Sequence, residues 1–183
     1  MGSHTCLHYE SERNLLDLVS SFFEQGFRTN ELCLWVVPQS LGVDGAKAAL
    51  SKKIKDLNIY IEKDQLELLS HKDVYLKSGI FDQDDTLALL AKKEQDVLKQ
   101  GFSGLRISGD ASWLQEKDWD KLRTYEEGAD KLVSHGKITA LCTYPAEKFN
   151  TNKLFSLSFS HELVISKKDG KADIIIDKRD VFK

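Results

Sequence analysis

The stretch Glu31-Leu32-Cys33-Leu34-Trp35-Val36-Val37 decides the fold, and Pro38 closes it. After Glu31 no polar residue interrupts it. A strand with one solvated face alternates apolar and polar side chains, because successive residues point to opposite faces. A strand without that alternation is buried on both faces, the habit of a parallel sheet covered by helices. Parallel strands need long crossovers, so helical stretches should flank this one in sequence. Upstream, Ser11 reads as an N-cap, and Leu15, Leu18, Val19, Phe22 and Phe23 recur at helical spacing, with Gly26 as the stop. His4 to Tyr9 precedes them as the first strand. Downstream, a helix over about 45–57 presents Ala46, Ala49, Leu50, Ile54 and Leu57, and Gln65 to Leu69 reads as a third strand.

The same alternation continues to the end of the chain. Asp82 to Gln100 is the clearest helix, with Asp82, Asp84 and Asp85 at its start and Lys92, Lys93 and Lys99 toward its end, matching the macrodipole. Its predicted buried stripe is Leu87, Leu90, Ala91 and Leu98. Gly104 to Gly109 is the fourth strand, Trp119 to His135 a helix, and Ile138 to Tyr144 the fifth strand. A short helix falls within Ala146 to Phe159. A hairpin over about 163–177 follows, with strands Leu163 to Ser166 and Ala172 to Ile176 and Asp169-Gly170 as its turn. The expected fold is α/β: a three-layer arrangement, a mainly parallel sheet flanked by helices, closed by a C-terminal β-hairpin, in one domain over residues 1–183. Ligands in such sheets bind beyond the carboxyl ends of the strands. That edge should hold Tyr9 to Ser11, Pro38 to Gly42, Ser70 to Phe81, Gly109 to Trp113, and Tyr144-Pro145.

Composition removes several function classes. Lys and Arg total 26 against 29 Asp and Glu, a net charge of -3. That balance argues against a broad phosphate-binding face, so no direct nucleic-acid partner is expected. No apolar run approaches the roughly 20 residues that span a bilayer, so no membrane partner is expected either. Cys6, Cys33 and Cys142 form no CxxC pair, and no charged-then-apolar leader opens the chain. Together these point to the cytoplasm. The sequence has no GxxxxGK[ST], no GxGxxG and no GxSxG, and the turn after strand one, Tyr9-Glu10-Ser11-Glu12, is acidic where a phosphate cradle would be glycine-rich. The expectation is a protein that is not an enzyme and carries no cofactor.

Three constellations remain. His4, Cys6 and His8 share one face of the first strand and could ligate a borderline metal, although neighbours on that face stand about 7 Å apart. The alternative is a packed cysteine with histidines at the strand ends. The thiols Cys6, Cys33 and Cys142 raise a redox reading, which their strand positions oppose. In the fourth strand, Arg106, Ser108 and Asp110 share the face opposite Leu105 and Ile107. Arg106 is either a structural ion pair, with Asp110, Glu10 and Glu126 as candidate partners, or a polar anchor in a ligand pocket. Gly109-Asp110-Ala111-Ser112-Trp113 follows at the binding edge, and Tyr75, Phe81, Trp113, Trp119 and Tyr125 could wall a pocket there.

Several segments, in this order, resemble the MEDS domain, the methanogen/methylotroph sensory domain of DcmR-type regulators. They are His4 to Glu10, Glu31-Leu32-Cys33, Tyr75 to Asp82, Gly101 to Arg106, Gly109 to Trp113, Tyr125-Glu126, and Ala140 to Tyr144. The resemblance covers about residues 3 to 165. It implies a RecA/KaiC-like fold without a phosphate loop, and a sensory role proposed for hydrocarbon derivatives. Histidine kinase or transcription-regulator output modules are the implied partners, and an assembly of identical copies stays open. The family usually carries Gly-Glu-Met-x-Trp where this chain has Gly109-Asp110-Ala111-Ser112-Trp113; the shorter acid and absent methionine alter the pocket's depth and lining. The expectation is a non-catalytic sensory domain for a small organic ligand, with Tyr9, Glu10, Arg106, Asp110, Trp113 and Tyr125 as ligand-binding residues. A degenerate RecA/KaiC-like nucleotide-binding domain is one alternative. The other is a metal or thiol redox sensor built on His4, Cys6 and His8, with Cys142.

Overall fold

The computed structural model describes residues 2–168 and 171–177. The strands are β1 (His4–Tyr9), β2 (Leu32–Val36), β3 (Leu66–Leu69), β4 (Leu105–Asp110), β5 (Ile138–Pro145), β6 (Leu163–Lys168) and β7 (Lys171–Asp177). They form one sheet in the order β3-β2-β4-β5-β1-β6-β7. Strands β1 to β6 run parallel, and β7 returns antiparallel along β6. The all-apolar β2 therefore lies inside a parallel sheet, and the hairpin closes the chain as expected. The hairpin's turn residues, Asp169-Gly170, lie outside the described residues.

The helices are α1 (Glu12–Arg28), α2 (Gly42–Ser51), α3 (Leu57–Glu62), α4 (His71–Val74), α5 (Gln83–Lys99), α6 (Trp119–His135) and α7 (Thr151–Ser158). Period-2 alternation divides the sheet's side chains between two cores. Leu7, Tyr9, Cys33, Trp35, Val37 and Leu141 pack with residues of α1, α2 and α3. Cys6, Leu34, Val36, Leu105, Ile107, Ala140 and Tyr144 pack on the other side with α5, α6 and α7. The three layers are thus helices, sheet, helices. No helix among the described residues is long and apolar enough to cross a membrane.

Local differences from the sequence expectation have physical causes. Ser11 caps α1 by accepting from the Asn14 amide, but Gly26 does not stop the helix, which continues to Arg28. Gly26 is instead where α1 meets the sheet: a Cβ there would lie 2.6 Å from both Cys33 Sγ and Arg106 Cδ. The helix expected over 45–57 ends at Ser51, and α3 begins only at Leu57, after a turn in which Asp56 takes a left-handed φ of 56°. In α5 the side chains buried against the core are Thr86, Leu90 and Val97. Leu87 turns instead toward α6, where the space above Gly128 receives it. Leu98 is left exposed.

Candidate functional site

The parallel register brings the carboxyl ends of β4, β5 and β1 side by side, with Asp110 beside Thr143 and Tyr9 beside Pro145. Asp110 is buried there and accepts from three donors. Tyr9 Oη lies 2.8 Å and Thr143 Oγ1 2.9 Å from Oδ2, and the Ser112 amide lies 2.8 Å from Oδ1. Burial raises the Asp110 carboxyl above its ordinary value, against the pull of these donors. Burial and the neighbouring Asp110 push the Tyr9 hydroxyl far up, so it stays a donor. Glu10 lies exposed on the turn beyond β1.

Next to this carboxyl stands an aromatic cluster. Trp113 stacks on Tyr75 at 4.9 Å, and Phe81 meets Trp113 edge-on at 5.0 Å. Tyr125 packs edge-on against both Tyr75 and Phe81. Gly109 makes room for Tyr75, whose hydroxyl would lie 2.2 Å from a Cβ at that position. The indole nitrogen of Trp113 is buried without a hydrogen-bond partner among the described residues. The chain from Tyr75 to Asp82 straps over the cluster, with a groove on each side. One, of about 450 Å³, runs along Val74, Lys77, Ile80 and Leu89. The other, of about 350 Å³, runs along Leu76, Phe81, Trp113 and Lys121. Trp119 is not part of the cluster; it lies against Phe149 and under Lys153.

Arg106 is not brought to this place. It stands at the amino end of β4, about 13 Å of strand from Asp110. Its Nε donates to Glu31 Oε2 at 2.6 Å, and its guanidinium lies over the Phe22 ring. None of Asp110, Glu10 and Glu126 is its partner in that ion pair. Tyr9, Asp110, Trp113 and Tyr125 do come together at the carboxyl edge; Arg106 does not.

The first-strand triad is also regrouped. Cys6 packs in the core, and His8 Nε2 meets the Phe149 carbonyl at 2.9 Å. His4 turns instead to three residues of other elements. Its Nε2 lies 3.3 Å from Glu126 Oε2 and 3.4 Å from Cys142 Sγ, and its ring stacks on His161 at 4.0 Å. His161 Nε2 lies 3.5 Å from the same Glu126 oxygen. Tyr144 donates to Glu126 Oε1 at 2.7 Å. Burial lowers the His161 imidazole to about 4, helped by the adjacent His4. Burial also opposes the charge on His4, yet Cys142, Asp130 and Glu126 hold it above the ordinary imidazole range. Burial acts to raise Glu126, but the two histidines and Tyr144 outweigh it and hold the carboxyl low. Burial and the Glu126 charge push the Cys142 thiol up to about 11. A small enclosed cavity of about 20 Å³, room for about one water, separates this cluster from the aromatic one. Its walls include His4, Tyr75, Gly109, Tyr125 and Cys142.

The sequence offered one signal for this cluster that the reading did not use. Glu126 sits on the apolar stripe of α6 with Leu122, Ala129 and Val133. A carboxylate on a buried helix face demands partners. His161, in a turn after α7, carries no local signal.

Comparison with known proteins gives the family. The chain matches the MEDS description (MEthanogen/methylotroph, DcmR Sensory domain) over residues 3–162. It belongs to the MEDS family. A comparison with curated proteins finds no match. Among solved structures, the chain is similar to an uncharacterized protein from Pyrococcus horikoshii, solved in complex with an unknown peptide. That likeness has a TM-score of 0.68 and 11% identity, and covers 98% of this chain and 86% of that one. It is similar also to a KaiC-like protein from the hyperthermophilic archaeon Pyrococcus horikoshii OT3. There the TM-score is 0.66 and the identity 13%, covering 97% of this chain and 80% of the other. At such identities the likeness is one of fold, and the fold of this MEDS domain is RecA/KaiC-like.

Proposed function

We propose that this MEDS domain is a non-catalytic sensor that binds a small organic ligand, such as a hydrocarbon derivative, beneath the strap over Tyr75 to Asp82. The observation that supports it most is the aromatic cluster itself. Tyr75, Phe81, Trp113 and Tyr125 gather at the carboxyl edge of the sheet beside a buried carboxyl, and the Trp113 indole N–H has no partner among the described residues. Small-molecule sites combine apolar walls with a few placed polar groups. The strap makes a tight turn and presents an apolar side chain to solvent. Gly79 sits at a φ of 85°, and Ile80 is 65% exposed while its neighbour Phe81 is buried. A ligand that takes the place of the Phe81 ring against Trp113 favours a displaced strap, and such unequal binding to two states is the minimum for signalling. The readout falls to a partner, a histidine kinase or transcription-regulator output module. The acidic turn at Glu10 and Glu12 supports the absence of nucleotide turnover.

The test is a thermal-shift panel of short-chain alcohols, amines and halogenated alkanes, run beside ATP and GTP with Mg²⁺. An organic compound at 100 times its Kd should add about 2.7 kcal/mol of stability. That amounts to roughly 5–10 °C in Tm for a chain of this size. The same compound should lose its effect in Trp113→Ala. Stabilisation by nucleotide with Mg²⁺, and by none of the organic compounds, would sink the reading in favour of a nucleotide-binding domain.

A further inference from the structure

We propose that His4 Nε2, Glu126 Oε2, Cys142 Sγ and His161 Nε2 form a closed tetrahedral site for a divalent cation of the zinc class. The first argument is metric. Zinc holds nitrogen and oxygen at about 2.0–2.1 Å and thiolate sulfur at about 2.3 Å. A tetrahedron of those radii has edges of about 3.3–3.4 Å between nitrogen and oxygen atoms, and about 3.6 Å to sulfur. The four ligand atoms lie within 4.8 Å of one another. His4 to Glu126 is 3.3 Å and His161 to Glu126 is 3.5 Å. His4 to Cys142 is 3.4 Å, and Cys142 to Glu126 is 3.6 Å. Four of the six edges thus lie within about 0.2 Å of a zinc tetrahedron's.

The second argument is hydrogen-bond bookkeeping. His4 Nδ1 lies 2.7 Å from the Ser160 carbonyl, and His161 Nδ1 lies 2.7 Å from the Leu157 carbonyl. A carbonyl can only accept, so both Nδ1 atoms carry the proton. In the neutral rings, both Nε2 atoms then present lone pairs to the cluster. Glu126 Oε2 presents another, its Oε1 being occupied by Tyr144. The Cys142 thiol and, in the protonated ring, His4 Nε2 both face Glu126 Oε2, which leaves His161 Nε2 without a donor. His161 Nε2 is accordingly buried without a hydrogen bond among the described residues. A cation at the centre answers all of these lone pairs at once. The supporting contacts are those that metal-binding histidines and carboxylates ordinarily have: each imidazole's other N–H is held by a carbonyl, and the carboxylate's other oxygen by a hydroxyl.

The third argument is charge. One thiolate, one carboxylate and two neutral imidazoles carry -2, which a divalent cation cancels. A buried site requires that cancellation. On binding, metal bonds replace the sulfur–hydrogen bond of Cys142 and the N–H bond of a protonated His4 Nε2, and those protons leave to solvent. Thiolate and imidazole donors select zinc and its neighbours over Mg²⁺ and Ca²⁺. With four protein ligands, and His4, Glu126 and His161 all buried, no position is left for a reacting water. The site ties β1, α6, β5 and the turn after α7 together rather than hydrolysing anything.

The experiment uses the full chain, carrying no histidine tag, stripped with a chelator and then titrated with Zn²⁺ and with Co²⁺. One equivalent of Zn²⁺ should bind and raise Tm, whereas Mg²⁺ should not. Co²⁺ should give the intense visible bands of a tetrahedral site and a thiolate-to-cobalt charge-transfer band. Cys142→Ser should remove the charge-transfer band, and His161→Gln should weaken Zn²⁺ by about 100-fold or more, beyond what losing an outer-shell contact costs. His8→Ala should change nothing. Where a variant fails to fold, the cobalt spectrum of the unaltered chain decides. Sub-stoichiometric Zn²⁺, a cobalt spectrum without the thiolate band, or a band that survives Cys142→Ser would each overturn the proposal.

Discussion

Arg106→Ala separates two roles for an arginine inside a sheet. The Arg106 side chain is 12% exposed and its partner Glu31 is 13% exposed, with Nε and Oε2 2.6 Å apart. Breaking a fully buried pair by removing one member costs about 3–5 kcal/mol, most of it the penalty on the charge left behind. Glu31 would not be left bare, because Thr29 Oγ1 also donates to Oε2 at 2.9 Å. Partial exposure and this second donor lower the expected cost to about 2–3 kcal/mol. Part of that cost is the lost packing of the arginine stem against Gly26 and Phe22. In Tm the loss is roughly 5–10 °C. Urea unfolding followed by tryptophan fluorescence should show a lower midpoint at an unchanged slope. The double variant Arg106→Met with Glu31→Gln should recover most of the loss, since it removes both charges and keeps the volume. Wild-type stability in Arg106→Ala, within about 0.5 kcal/mol, would refute the ion-pair reasoning.

Gly109→Ala should destabilise the fold by about 1–3 kcal/mol, the usual cost of overpacking. The clash is with Tyr75 Oη at 2.2 Å, while the next ring carbon is already at 3.5 Å. Adding Tyr75→Phe should therefore rescue much of it in a double-mutant cycle, and equal damage with and without the hydroxyl would show that the backbone, not Tyr75, reserves the space. Asp110→Ala should cost about 2–4 kcal/mol by leaving the Tyr9 hydroxyl and the Ser112 amide unpartnered. Asp110→Asn should cost less, and its deficit should depend on pH. The folded carboxyl is raised above the ordinary 3.8, so it holds its proton more tightly than the unfolded chain does. The stability from that protonation is complete below the unfolded value and is lost as pH rises through the folded one. Wild type should thus lose stability relative to Asp110→Asn as pH rises from the unfolded carboxyl's value through the folded one; a stability gap that stays constant as pH rises from about 4 would contradict the burial argument.

The fold was legible wherever a periodic pattern and its boundary coincided. β2 declared a parallel sheet through its unbroken apolar run, and α6 occupies Trp119–His135 as its pattern predicts. Glycine misled at Gly26, because the same residue serves as a helix terminator and as a point of close helix–sheet contact. Sequence alone does not say whether Cys33 and Arg106 lie above it. The split between α2 and α3 was hidden for a related reason. The apolar residues Ile54 and Leu57 keep helical spacing across a left-handed turn at Asp56, because both sides of that turn bury against the same core.

The carboxyl-edge residues were legible even where separate elements supply them, as Tyr75, Phe81 and Tyr125 show. Asp110, Trp113 and the residues between them come from one strand end and its loop, and they fall together with Tyr9 because the carboxyl edge of a parallel sheet is a single place. The His4 cluster draws one residue from each of four separate places in the chain, β1, α6, β5 and the turn after α7. Spacing within β1 suggested Cys6 and His8 as companions of His4, but Cys6 packs in the core and His8 is taken by the Phe149 carbonyl. Convergence requires side chains that approach from different directions. Register supplies β5 beside β1, the second helical layer supplies α6, and the Glu162 amide bonded to the His4 carbonyl fixes the turn that carries His161. Each of those is a tertiary fact. What the sequence did hold was the anomaly of Glu126 on the apolar face of α6: a buried carboxylate implies a positive or hydrogen-bonding neighbour before its identity is known.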